Sequence, residues 1–177
     1  MPLHKVYAAL EAKGWKLCRD ETGDRYARLI LPDRGAELIC DLPHGRQFRC
    51  CWSVSDETFT RACDHIHEGF GFPVFLEQWQ QIASLDDIEG TIKAGTEWAL
   101  SRDMQALIRC LADAPTNLPG LAALMHLASL AVLGRSDTLK DYRSTFATGD
   151  RLGMPPYIKE DYLDRTIEFA ENMKSGG

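Results

Sequence analysis

The sequence predicts an α+β fold, in which an N-terminal helix and a four-stranded antiparallel meander pack against a C-terminal bundle of about five or six helices. Two observations carry this prediction. Apolar and polar residues alternate between residues 15 and 54, where turn signals separate short segments, and the apolar period becomes helical after Asp56. We expect one domain over residues 1–177, with the helix and meander in 1–56 and the helical part in 57–177, because the sheet needs helices to cover its inner face.

Composition excludes several classes of protein. The 177 residues are 45% hydrophobic and 26% charged, which is typical of a globular domain. The net charge of −6 argues against a strongly basic nucleic-acid binder. The apolar run at 6–10 is too short for a signal peptide, and the run at 121–133 is too short to span a membrane. We therefore expect a cytoplasmic protein with no nucleic-acid and no membrane partner.

The first 56 residues predict a helix over 2–13 and then four strands. The turn Pro32-Asp33-Arg34-Gly35 is expected to join the second and third strands, with Gly35 in a left-handed conformation. Further turns are predicted at 20–24 and 43–45. The residues expected to face inward are Ala27, Leu29, Leu31, Ala36, Leu38, Cys40, Leu42, Phe48, Cys50, Trp52 and Val54. The opposite, outer face is expected to carry Tyr26, Arg28, Ile30, Glu37, Ile39, Asp41, Arg49 and Cys51.

The remaining residues predict helices. A first helix follows Asp56 and ends at Gly69-Phe70-Gly71, and a second begins at Pro73 and turns Phe75, Leu76, Trp79, Ile82 and Ala83 inward. Ser84 and the acids after it are expected to cap a long stretch over 88–111, which Ser101 divides. Later helices are predicted at 121–133, which should be central, at 137–147 and at 157–174.

Three places could carry chemistry. Cys63 and His67 are four residues apart, a workable spacing for two metal ligands, but no third ligand is evident. Cys51 shares the outer face with Arg49, whose charge would lower the pKa of the thiol, and His44 lies in the preceding turn. Cys51 is therefore the best candidate for a reactive thiol. His126, inside an apolar helix, reads as a hydrogen-bonded core histidine. The sequence therefore predicts no catalytic residue, no metal and no cofactor.

The last predicted helix carries an acidic row. Residues 57–177 hold 11 basic and 18 acidic residues, whereas residues 1–56 hold nine and eight. Four of the carboxylates fall on one helix face, opposite Ile158, Tyr162, Phe169 and Met173. They are Glu160, Asp164, Glu168 and Glu171. This row is the predicted partner-binding site, and the predicted partner is a basic protein.

These features favour a non-enzymatic protein-binding module. Its role would be either that of an inhibitor or immunity protein or that of a chaperone or adaptor. It would use the acidic row or the outer sheet face. The N-terminal helix, the meander and the acidic pI of about 5.3 resemble small secretion chaperones in size and pattern, but the long helical half departs from them. The alternative is a small hydrolase or redox enzyme that uses Cys51 or a metal at Cys63 and His67.

Overall fold

The structure, a computed structural model, describes residues 3–19, 23–40, 47–68 and 74–175, without the side chains of Leu3, Cys40 and Leu85. It confirms the α+β class. Within these residues it has seven α-helices, a short 3-10 helix and one antiparallel sheet of five strands. In chain order the elements are α1 (Leu3–Ala12), β1 (Lys16–Arg19), β2 (Arg25–Leu31), β3 (Arg34–Cys40), β4 (Gln47–Ser55), α2 (Glu57–His67), β5 (Phe75–Ser84), the 3-10 helix (Leu85–Asp87), α3 (Ile88–Ser101), α4 (Met104–Ala112), α5 (Ala122–Val132), α6 (Ser136–Ala147) and α7 (Glu160–Ser175).

The chain divides into two compact units. The sheet unit comprises Met1–Asp56 and Phe75–Met104, and the helical unit comprises Glu57–Val74 and Gln105–Gly177. The predicted change of character after Asp56 therefore coincides with one division point, but the chain returns to the sheet unit at Phe75. The single domain over 1–177 stays a prediction.

Residues 75–84 form a strand, so the helix expected there is wrong and the sheet has a fifth strand. Each β4 residue from Gln47 to Ser55 has a partner on β5, and the order in the sheet is β1-β2-β3-β4-β5. Trp79 lies opposite Trp52, on the inner face. The apolar residues of this segment fit a helical period almost as well as an alternating one. Pairing with a strand that is distant in sequence decides between them.

The inner face of the sheet forms the core of the sheet unit. Ala27, Leu38 and Trp52 are buried as predicted, and α1 contributes the buried Val6 and Leu10. Further inner-face residues are buried in the same way, as predicted: Ala36, Phe48, Cys50 and Val54. Helix α3 lies against Trp52, and Asp87 caps it by accepting a hydrogen bond from the backbone N–H of Gly90. The predicted cap at Ser84 is also present, on the 3-10 helix.

The β2–β3 turn differs from its prediction. Only Pro32 and Asp33 lie in the turn, because Leu31 already pairs with Arg34. Gly35 is a strand residue opposite Ile30 and is not left-handed. It is small for another reason, since a Cβ atom there would lie 2.9 Å from Ser55 Oγ. The predictions for residues 20–22, 41–46 and 69–73, which include Asp41, Leu42, His44, Phe70 and Pro73, fall outside the described residues.

The helical unit is built around α5. Most residues of α5 are themselves buried, among them Leu124, Leu127 and Leu130, so the predicted central position of this helix is confirmed. The long stretch after residue 88 does divide, but Ser101 is the last residue of α3 and its hydroxyl donates to Trp98 O. Helix α7 begins at Glu160, three residues later than expected.

The buried face of α7 is also rotated from the predicted one. Leu163, Thr166 and Ala170 are buried, whereas Tyr162 and Phe169 are half-buried and Met173 is 39% exposed. Ile158, just before the helix, is buried as expected.

Candidate functional site

The acidic row lies on the exposed surface of α7. The side chains of Glu160, Asp164, Glu168 and Glu171 are between 52% and 61% exposed. Because residues three or four apart share a helix face, all four carboxylates line one side of α7.

Each of these carboxylates has a basic partner within the helical unit. Arg143 of α6 contacts Glu160 at 3.0 Å and Asp164 at 2.7 Å, and the hydrogen bond to Asp164 raises the pKa of Arg143. Lys140 of α6 contacts Glu171 at 2.9 Å, and His65 of α2 contacts Glu168 at 3.5 Å. All four carboxylates of the acidic row are thus in contact with a side chain of α6 or α2. Exposed ion pairs stabilise a fold little, but they reduce the field that the carboxylates present to a partner.

Cys63 and His67 do not form a metal centre in the described structure. Cys63 is fully buried, and burial raises the pKa of its thiol to about 12. The thiolate that a metal or a nucleophilic step needs is therefore scarce at neutral pH. His67 Nδ1 lies 3.3 Å from Tyr162 Oη. No group of three or more His, Cys, Asp or Glu side chains within the described residues could hold a metal ion.

The outer face of the sheet carries a transverse row of side chains. The strand register aligns one residue from each strand: Cys18, Tyr26, Ile39, Cys51 and Gln80. We call these five the outer-face row. Ile39 is 42% exposed, and Cys18, Tyr26 and Cys51 are half-buried. Ile82, 70% exposed, lies two residues beyond Gln80 on the same face of β5. The row is therefore a largely apolar strip across all five strands.

Basic side chains border the outer-face row. Lys16 and Arg28 lie opposite each other on β1 and β2, one outer-face position along from Cys18 and Tyr26. The register places Glu37 at the next position of the outer face, as predicted, but Glu37 is only 4% exposed. Burial raises the pKa of Glu37. The positive charge of Arg28, whose Nε lies 3.5 Å from Glu37 Oε1, opposes this rise. The charge that this border presents to solvent is therefore positive.

His126 is a buried histidine with defined hydrogen bonds, as predicted. It is 1% exposed, Nδ1 lies 2.9 Å from Leu111 O and Nε2 lies 3.3 Å from Tyr142 Oη. A neutral ring that donates from Nδ1 and accepts at Nε2 satisfies both contacts. Burial lowers the pKa of His126, although the bond to Leu111 O opposes this shift.

In comparison with known proteins, a family model matches residues 3–171 of the chain. The chain belongs to a family of unknown function, DUF6990. Neither a search of curated proteins nor a search of solved structures gives a match. Within the described residues of this DUF6990 member, no helix is long and apolar enough to cross a membrane.

His126 gives the stability of this DUF6990 chain a pH dependence. The pKa of the native ring lies below its ordinary value of 6.5, so the unfolded chain takes up a proton first as the pH falls. The stabilisation is complete above pH 6.5 and decreases below it, with a slope of at most about 1.4 kcal/mol per pH unit. Urea unfolding followed by circular dichroism between pH 5 and 8 measures this slope.

The variant His126→Gln can retain both hydrogen bonds and cannot titrate, so we expect a flatter profile below pH 6.5. His67→Gln, at an exposed position, serves as the matched control for the replacement of a histidine by glutamine. Equal slopes for wild type and His126→Gln would contradict the assignment.

Proposed function

We propose that this chain is a non-enzymatic protein-binding module that docks its partner on the outer-face row. The partner is a protein segment with apolar side chains flanked by carboxylates. The observation that supports this proposal is the apolar strip across the sheet with Lys16 and Arg28 at its border. An inhibitor, an immunity protein and a chaperone each need such a pre-formed surface and little else.

The physical argument rests on rigidity and complementarity. The row lies on the strands of a sheet whose inner face is already packed, so docking orders little additional chain. Covering Ile39 and Ile82 removes apolar surface from water, worth about 25 cal/mol per Å². Lys16 would attract carboxylates beside the apolar contacts, which favours an acidic partner on this face and speeds its association. Arg28 contributes less, because it already lies 3.5 Å from the Glu37 carboxylate.

The acidic row on α7 is the second candidate surface, and its partner would be basic. Such a partner must compete with Arg143, Lys140 and His65 for the same carboxylates, so we rank this surface lower. For the enzymatic alternative, the raised pKa of Cys63 leaves Cys51 as its remaining thiol.

Site-specific photocrosslinking tests the proposal and compares the two surfaces. The full chain carries benzoylphenylalanine at Tyr26 in one sample and at Glu168 in another, and each is irradiated in native extract. The captured protein is then purified, and its Kd is measured for wild type and variants. We expect capture from Tyr26, an acidic contact segment, and a Kd at least tenfold weaker for Ile39→Glu.

The matched control is Glu168→Gln, which we expect to change the Kd less than twofold. It removes one charge of the acidic row and keeps a polar side chain of similar size beside His65, which lies 3.5 Å from Glu168. Circular dichroism confirms that both variants fold. Capture only from Glu168, with a Kd that depends on Glu168 and not on Ile39, would move the site to the acidic row and refute the sheet proposal.

A further inference from the structure

The last strand of the sheet, β5, has a hydrogen-bonding edge that no described strand covers. Within the described residues β5 pairs with β4 on one side only, because it stands at the end of the strand order. An edge strand presents a row of N–H and C=O groups that can pair with another strand. Gln78 and Gln80 of β5 are exposed, and Ile82 is 70% exposed. These exposed positions leave room for a further strand beside β5.

Proteins usually protect such an edge, and the opposite end of this sheet does so. Strand β1 has only four residues, and a charged residue, Lys16 or Arg19, stands at each end. Strand β5 is ten residues long, contains no proline and carries one charged residue, Glu77. Arg102 contacts that carboxylate at 3.3 Å. The edge is uncharged over residues 78–84. A long, uncharged edge without proline is suited to pairing with another strand.

The sequence of β5 is complementary to itself in an antiparallel pairing. If Gln80 lies on a two-fold axis perpendicular to the sheet, it opposes the same residue of a second copy. Gln78 then opposes Ile82, and Trp79 opposes Gln81. Every pair joins residues of the same sheet face, and the backbone groups that point away from β4 meet each other, because both properties alternate along a strand with a period of two. The Gln80 amide can both donate to and accept from its copy.

We propose that this protein forms a two-fold symmetric homodimer, in which the β5 strands of two copies pair in antiparallel fashion around Gln80. The pairing would join two sheets into one of ten strands, five from each copy. Glu77 opposes the uncharged Ala83 in this register, so no like charges oppose each other. The outer-face rows of the two copies would meet end to end at the axis. The pairing requires no other partner, so it does not rest on the proposed function.

Symmetry favours a second copy over an unrelated peptide as the occupant of this edge. A two-fold contact uses the same surface on both copies, so one pairing covers both β5 edges. The edge that remains on each copy, β1, is short and charged, so association stops at the dimer. Pairing of two strands covers less area than an obligate dimer interface does, and we therefore expect a Kd in the micromolar range.

Sedimentation velocity of the purified full chain tests the dimer. Loading concentrations between about 1 and 300 μM shift the equilibrium, since mass action sets the dimer fraction. We expect the 19.9 kDa monomer at the lowest concentration and a species of twice that mass at the highest. Hydrogen exchange followed by mass spectrometry should show slower exchange over residues 75–84 at the high concentration, because the N–H groups of the edge become hydrogen-bonded.

Charge substitutions at the axis test the register. Gln80→Lys places two positive charges opposite each other and Gln80→Glu two negative charges, so we expect each variant to weaken the dimer Kd at least about tenfold. An equal mixture of the two variants pairs opposite charges and should return the Kd to within about threefold of wild type.

Gln78→Lys is the matched control for an added charge on the same strand. Its lysine opposes the uncharged Ile82, so we expect the Kd to stay within about threefold of wild type. Circular dichroism confirms that the variants fold, as expected for exposed positions. A wild-type monomer at every concentration, a dimer that Gln80→Lys leaves intact, or a mixture that associates no better than the single variants would each overturn the proposal.

Discussion

Gly95→Ala will destabilise the sheet unit by about 1 to 2 kcal/mol, the opposite of its usual effect within a helix. A Cβ atom at Gly95 would lie 2.3 Å from the Trp52 ring, far inside van der Waals contact. Trp52 is 1% exposed and its ring packs edge-on against Trp15, with centroids 5.7 Å apart. It therefore has little room to withdraw. Overpacking of this kind costs about 1 to 3 kcal/mol or more and exceeds the gain in helix propensity of about 1 kcal/mol.

Urea unfolding followed by tryptophan fluorescence measures this effect. All four tryptophans, at positions 15, 52, 79 and 98, belong to the sheet unit, so the signal reports that unit alone. Gly90→Ala in the same helix is the matched control. There the Cβ atom meets the flexible carboxylate of Asp87 at 2.4 Å, so we expect the loss of a cap, about 1 kcal/mol.

A double-mutant cycle tests the cause. Trp52→Phe shrinks the ring and should cancel part of the cost of Gly95→Ala, giving a coupling energy of at least about 1 kcal/mol. Additive free energies in the cycle, or a Gly95→Ala protein as stable as wild type, would show that α3 does not approach Trp52 this closely.

Local signals in the sequence predicted the local features of this fold. These features are the alternation over residues 25–31 and 48–54, the cap at Ser84 and the apolar helix around Leu127. All of them depend on neighbours in the chain, and the structure has each one. The helix predicted over residues 75–84 is wrong because the strand that pairs with them, β4, lies beyond α2 in the sequence. No local pattern shows that pairing. The need for glycine at position 95 is equally non-local, because it arises from a tryptophan on β4.

The same distinction applies to the candidate sites. Helical spacing placed the four carboxylates of α7 on one face, but it could not show that Arg143 and Lys140 of α6 contact them. Alternation placed Tyr26, Ile39 and Cys51 on the outer face. The burial of Glu37, and the extension of the strip to Gln80 and Ile82, depend on strand pairing that no local pattern contains.

Replacement of Arg34 by Ala is expected to cost the sheet unit about 2 to 4 kcal/mol. Arg34 follows the β2–β3 turn, and its side chain is only 11% exposed. One guanidinium nitrogen, Nη1, donates to Ala99 O at 3.0 Å, to Leu100 O at 3.5 Å and to Arg102 O. These carbonyls lie at the C-terminal end of α3, where the helix runs out of N–H groups to satisfy them. Ala99 O also accepts from the Arg102 backbone N–H, at 3.4 Å.

The cost follows from what the alanine leaves behind. A hydrogen bond to a charged group contributes about 1.5 to 3 kcal/mol, and a partly buried acceptor without a donor costs about 1 to 3 kcal/mol. The positive charge also stabilises the negative end of the helix dipole. Arg34→Lys keeps the charge but not the fork of donors, so we expect it to recover only part of the loss.

Two controls separate the carbonyl contacts from the other roles of Arg34. The guanidinium also holds Asp33, and this hydrogen bond lowers the pKa of that carboxylate, but Asp33 is 60% exposed. Asp33→Asn should therefore cost less than about 1 kcal/mol. Arg61→Ala, at an exposed position on α2, should be within about 0.5 kcal/mol of wild type. If Asp33→Asn cost as much as Arg34→Ala in urea unfolding, the ion pair and not the end of α3 would be what Arg34 stabilises.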